Sequence, residues 1–81
     1  MQFTNLPRHH SAEVRLFLMT KDDTYPLAQI GPNDVIFRKP VNLPPCDAEI
    51  VMQVDGTERR WQVRLPNGVV ESSRQSETVT R

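Results

Sequence analysis

Side chains able to do chemistry are few in this chain, and they fall in four places. His9 and His10 follow Arg8, Cys46 closes a proline-rich run, and Arg59, Arg60 and Arg64 surround the only tryptophan, Trp61. Arg15 lies in the first apolar segment. Three kinds of chemistry are open to such a set: metal binding by the histidines and the thiol, a cysteine–histidine nucleophile, or recognition of an anion by arginine.

The first two fail on spacing. Adjacent residues of an extended segment point to opposite faces, so His9 and His10 cannot both reach one ion. A structural zinc site takes four nitrogen or sulfur ligands, and two histidines with one cysteine fall short. A nucleophilic cysteine needs a lowered pKa from a helix N-terminus or a neighbouring cation, plus an orienting partner; Cys46 follows two prolines and has neither nearby in sequence. The three glycines, Gly31, Gly56 and Gly68, are scattered one per turn rather than gathered into a phosphate-cradling loop. The reading is therefore of a non-enzyme, with no catalytic residue, no metal site and no cofactor.

Arginine recognition depends on which elements carry the cations. Residues 12–19, AEVRLFLM, alternate Ala12, Val14, Leu16 and Leu18 against Glu13, Arg15, Phe17 and Met19, a period of two that predicts a strand. Phe17 and Met19 make its second face apolar as well. That predicts cover on both sides at the C-terminal end of the strand, from the fold or from a partner. TKDDT and GPND are turn signals on either side of YPLAQI, residues 25–30, in which Pro26 predicts an edge position or a strand start. VIF at 35–37 predicts a short strand. Three prolines between Pro40 and Pro45 then predict a semi-rigid extended crossing.

The strongest pattern follows. Residues 47–54, DAEIVMQV, and 57–65, TERRWQVRL, flank Asp55-Gly56, a preferred type I′ pair because both central positions need positive φ. A two-residue loop sets Val54 opposite Thr57, Ile50 opposite Trp61, Ala48 opposite Val63 and Asp47 opposite Arg64. Apolar partners then meet on one face and opposite charges on the other; a one-residue slip destroys both matches. In this register Trp61 faces the core while Arg60 and Arg64 face away, so they do not form the joint stacking platform that single-stranded nucleic acid uses. Arg59 shares the face of Trp61 at the turn, where its stem can cover the core edge. Arg15 joins Arg60 and Arg64 on one surface if the first strand lies beside the hairpin, but Glu13, Asp47 and Glu49 share that surface and dilute its field.

LPNG at 65–68 predicts another turn, and a last strand starts at Val69. The closing ESSRQSETVTR has one strong apolar residue, Val79, and predicts a flexible tail over 72–81. The fold class expected is all-β: one domain over 1–71, a small antiparallel meander, barrel or sandwich of five to six short strands.

Composition narrows the function further. At 81 residues the chain holds one core, and 37% apolar with 6% aromatic residues is a lean one, which association with another subunit would supplement. Ten basic and ten acidic side chains cancel, and the two signs are mixed along the chain. Phosphate-driven nucleic-acid binding needs a basic excess, so the balance argues against it. One cysteine excludes an intrachain disulfide. MQFTNLPRHH lacks the charged start and apolar core of a secretion signal, and no apolar run approaches the ~20 residues that span a bilayer. The expectation is a cytoplasmic β domain that binds protein, its own copy included, through Phe17 and Met19. The alternative is a barrel of OB or SH3 type that takes an anionic ligand or nucleic acid through Arg15, Arg60 and Arg64.

Overall fold

A computed structural model describes residues 13–81. It contains seven antiparallel strands: β1 (Val14–Met19), β2 (Thr24–Ile30), β3 (Asp34–Phe37), β4 (Cys46–Val54), β5 (Thr57–Leu65), β6 (Gln75–Glu77) and β7 (Val79–Thr80). Their order in the sheet is β6-β3-β2-β1-β4-β5-β7. The all-β expectation is correct, with one strand more than the upper count.

The β4–β5 hairpin has the register that the turn dipeptide dictates. Val54 pairs with Thr57, Ile50 with Trp61, Ala48 with Val63 and Asp47 with Arg64. Asp55 and Gly56 both have positive φ, 49° and 85°, as a type I′ turn requires. β1 then pairs with β4 along its whole length, Val14 with Val54 through Met19 with Glu49. Pairing across the proline run therefore brings the first strand beside the hairpin. Leu18, Ile50, Val63 and Leu65 fall on the inner face with Leu27, Val35 and Phe37 from β2 and β3, all at most 1% exposed. Tyr25 meets Phe37 edge-to-face, ring centroids 6.1 Å apart, the preferred geometry for two quadrupolar rings. Trp61 packs against this cluster at its rim, half-buried.

Pro26 departs from the edge position expected for it. It lies inside β2, which has neighbours on both sides. The reason is local: Pro26 pairs with Phe17 at the end of the β1 ladder, while the ladder to β3 begins one residue later at Leu27. No donor is needed from residue 26, and its carbonyl accepts the Arg38 amide at 3.2 Å. A bulge between Leu27 and Gln29 then turns the strand toward β3, which is how one sheet curls into a barrel.

The C-terminal segment, expected to be a flexible tail from residue 72, contains two strands. Gln75–Glu77 pairs with β3, Val79–Thr80 pairs with β5, and Thr78 joins them. Consecutive residues thus occupy the two opposite edges of the sheet and bring it close to a closed barrel. Burial of apolar side chains does not explain this order, since Val79 is 50% exposed. Backbone pairing does, together with Ser76, 3% exposed, whose hydroxyl donates to the Gly68 carbonyl at 2.7 Å. Within the proline run Leu43 forms an isolated antiparallel bridge to Val69, with amide bonds of 2.8 and 2.9 Å.

Candidate interaction face

The strand period that fills the core leaves a second face across β1, β4 and β5. β1 contributes Arg15, Phe17 and Met19 to it; β4 contributes Asp47, Glu49, Val51 and Gln53; β5 contributes Glu58, Arg60, Gln62 and Arg64. One lateral row runs Pro26, Phe17, Val51, Arg60 from β2 to β5, and the next runs Thr24, Met19, Glu49, Gln62. Phe17 and Met19 are therefore brought together on the outer face, both half-buried. Val51 is the residue sequence reasoning missed. It is 2% exposed, yet it lies outside the inner core cluster. An apolar β-branched side chain among Glu49, Gln53 and the arginines was the available signal.

Arg60 is the cross-strand partner of Val51 on β5. Its guanidinium donates to Glu49 Oε1 at 3.1 Å and approaches Met19 Sδ at 4.0 Å. The side chain starts on β5 opposite Val51, and its guanidinium reaches side chains from β4 and β1. Arg60 also bonds Glu58 through Nε. That bond is the main reason the Glu58 carboxyl is held below its ordinary pKa, with Gln53 adding a second bond at 3.1 Å. The same contact raises the Arg60 pKa, with the Glu49 carboxylate adding to it. Phe17, Met19, Pro26 and Val51 thus make an apolar strip, bordered on the β5 side by the ion-paired Arg60.

Arg15 and Arg64 share this face, as expected, but neither stands free. Arg15 pairs with Glu13 at 2.9 Å and Arg64 with Asp47 at 2.9 Å, the cross-strand match the register demands. Arg81 reaches the other oxygen of Asp47 at 3.1 Å. Four arginines meet four carboxylates here, counting Arg15, Arg60, Arg64 and Arg81 against Glu13, Asp47, Glu49 and Glu58. Exposed pairs of this kind contribute about 0.2–1 kcal/mol each, so their main effect is to cancel the field rather than to stabilise the fold. The three candidate anion-binding arginines form no uncompensated cluster.

The remaining candidates carry little chemistry. His9 and His10 lie outside the described residues. Among the described residues no three His, Cys, Asp or Glu side chains converge in a way that holds a metal ion. Cys46 is half-buried at the start of β4, and burial pushes its thiol pKa up, away from the thiolate that a nucleophile needs. Burial raises the Tyr25 hydroxyl similarly, with the Asp23 carboxylate adding to the shift. No helix among the described residues is long and apolar enough to cross a membrane. Comparison with protein-family models, with curated proteins and with solved structures finds nothing that matches this chain.

Proposed function

We propose that this chain is a non-enzymatic β domain that works by contact with another protein, through the outer face of β1 and β4. The observation that carries the reading is the half-buried group of Phe17, Met19 and Pro26, packed beside the buried Val51 on a face whose charges are internally balanced. Apolar side chains ringed by polar pairs are the pattern of a contact patch: the centre gains from desolvation and the rim sets orientation. The alternative, an anion-binding barrel, needs arginines that are available, and each of the three has a carboxylate within 3.1 Å.

The test is capture of protein from the native host on immobilised wild type, on Phe17→Glu, and on Arg15→Glu with Arg64→Glu, at low and high salt. Contact through the apolar strip predicts a partner that survives high salt, is lost on Phe17→Glu and is retained by the arginine variant. A partner lost with salt and with the arginine variant, but kept by Phe17→Glu, would transfer the function to the anion-binding reading. Melting curves for each variant establish that the fold is intact.

A further inference from the structure

The two edges of β5 are treated unequally. β4 pairs with it from Thr57 to Leu65, whereas β7 meets it only at Val63 and Arg64. The Arg81 amide bonding the Gln62 carbonyl at 3.0 Å ends that second ladder. Among the described residues no strand covers the outer edge of residues 57–61. The two-residue turn makes Val54 and Thr57 a hydrogen-bonded pair, so Thr57, Arg59 and Trp61 aim their backbone groups at β4. Glu58, Arg60 and Gln62 aim theirs outward, and the Arg81–Gln62 bond is that of an outward residue. Among the described residues, a short stretch of edge is therefore left without backbone partners at Glu58 and Arg60.

We infer that a second copy of this chain pairs here, β5 against β5, antiparallel about a two-fold axis at Arg59. Backbone bonds form only if outward residues oppose outward residues, which restricts the choice of axis to every second half-step. An axis at Arg60 sets Arg60 against itself and Glu58 against Gln62, whose carbonyl is occupied by Arg81. An axis at Glu58 sets that carboxylate against its own copy. The axis at Arg59 sets Glu58 against the second copy's Arg60, and by symmetry Arg60 against its Glu58, with roughly four backbone hydrogen bonds between them. Both unlike pairs fall on the outer face, so the two apolar strips come to lie on one continuous surface. The cost falls on the inner face, where Arg59 meets its own copy; like charges opposed on an edge weaken pairing and keep the contact reversible.

This contact is independent of the outer-face reading, because Phe17 lies two strands from the edge. Sedimentation of the full chain tests it. Wild type should show a concentration-dependent monomer–dimer equilibrium, and Arg59→Thr should tighten it severalfold. Glu58→Arg alone and Arg60→Glu alone should each weaken it at least tenfold, since each opposes like charges at both contacts. Mixing those two variants restores unlike charges at both contacts and should restore the dimer as a mixed species, with circular dichroism verifying the fold of each. Wild type that stays monomeric up to millimolar concentration overturns the proposal. So does a mixture that fails to reassociate, or a dimer lost on Phe17→Glu but kept by Glu58→Arg.

Discussion

Gly68→Ala should be among the more damaging single-methyl changes this chain can carry, and Gly56→Ala provides its internal control. Both glycines have positive φ, 62° and 85°, so an alanine at either carries the left-handed cost of about 1–2 kcal/mol, partly offset by a stiffer unfolded chain. They differ in what a Cβ would meet. At Gly56 nothing lies within 4 Å. At Gly68 a Cβ would sit 2.2 Å from the Leu43 carbonyl oxygen, 2.7 Å from the Pro44 carbonyl carbon and 2.9 Å from the Pro45 nitrogen. All three are backbone atoms, two of them in prolines, so no rotamer change relieves the overlap. The Leu43 oxygen must retreat, and it accepts the Val69 amide at 2.9 Å. The Gly68 carbonyl, which accepts the buried Ser76 hydroxyl, moves with it. Overpacking of this kind costs about 1–3 kcal/mol, and weakening those two bonds adds about 1 kcal/mol between them. The excess of Gly68→Ala over Gly56→Ala is then about 2–4 kcal/mol, a large share of the ~4–12 kcal/mol expected for a domain of this size. In urea, where small domains lose ~1–3 kcal/mol per molar, the midpoints should differ by about 1–2 M. Equal midpoints would show that the proline run is free to move away, and that it does not brace this end of the barrel.

Three further outcomes follow from the same geometry. Trp61→Ala should lower stability by about 2–3 kcal/mol, less than for a fully buried tryptophan because the ring sits at the core rim; an unchanged melting temperature would remove it from the core. Ser76→Ala should cost about 1–3 kcal/mol by leaving the Gly68 carbonyl without its partner, and should speed amide exchange at Thr78, whose amide bonds the Asn33 carbonyl at 2.8 Å. Exchange at Thr78 already as fast as in an unstructured peptide would instead mean that the closing strands do not hold in solution. The folded pKa of Glu58 is depressed, so its contribution is complete above the ordinary carboxylate value of 4.5 and is lost as pH falls through the lower folded value. A carbon-detected titration should place Glu58 below the ordinary carboxylate value, and Arg60→Gln should move it back up.

What could be read from the chain alone was whatever local geometry decides. The β4–β5 register was legible because a two-residue turn leaves no freedom: once Asp55 and Gly56 are placed, every pair down to Cys46–Leu65 follows. The dilution of the arginine face was legible for the same reason, since Asp47 lies directly across from Arg64. Two other features depend on residues distant in sequence. Arg60 reaches Met19 across 41 positions, and only the β1–β4 pairing brings them within range. Pairing of β6 with β3 likewise joins Ser76 to Val35.

The misread C-terminal segment exposes a limit of periodicity itself. Alternation of apolar and polar residues reports which apolar side chains will be buried, and the side chains that QSETVT buries, Ser76 and Thr78, are polar. What orders it is the unmet hydrogen bonding of two strand edges, β3 on one side and β5 on the other, and that demand is written in those strands rather than in the segment. A chain this lean in apolar residues gains by such closure. Covering an edge satisfies backbone groups without requiring more core, and a polar strand does so without adding a sticky surface. The same accounting singles out residues 57–61, because β7 stops at Val63 and, among the described residues, no strand covers the far half of β5. The charges at Glu58, Arg59 and Arg60 protect that edge against indiscriminate pairing, while their order along the strand leaves one self-complementary arrangement open.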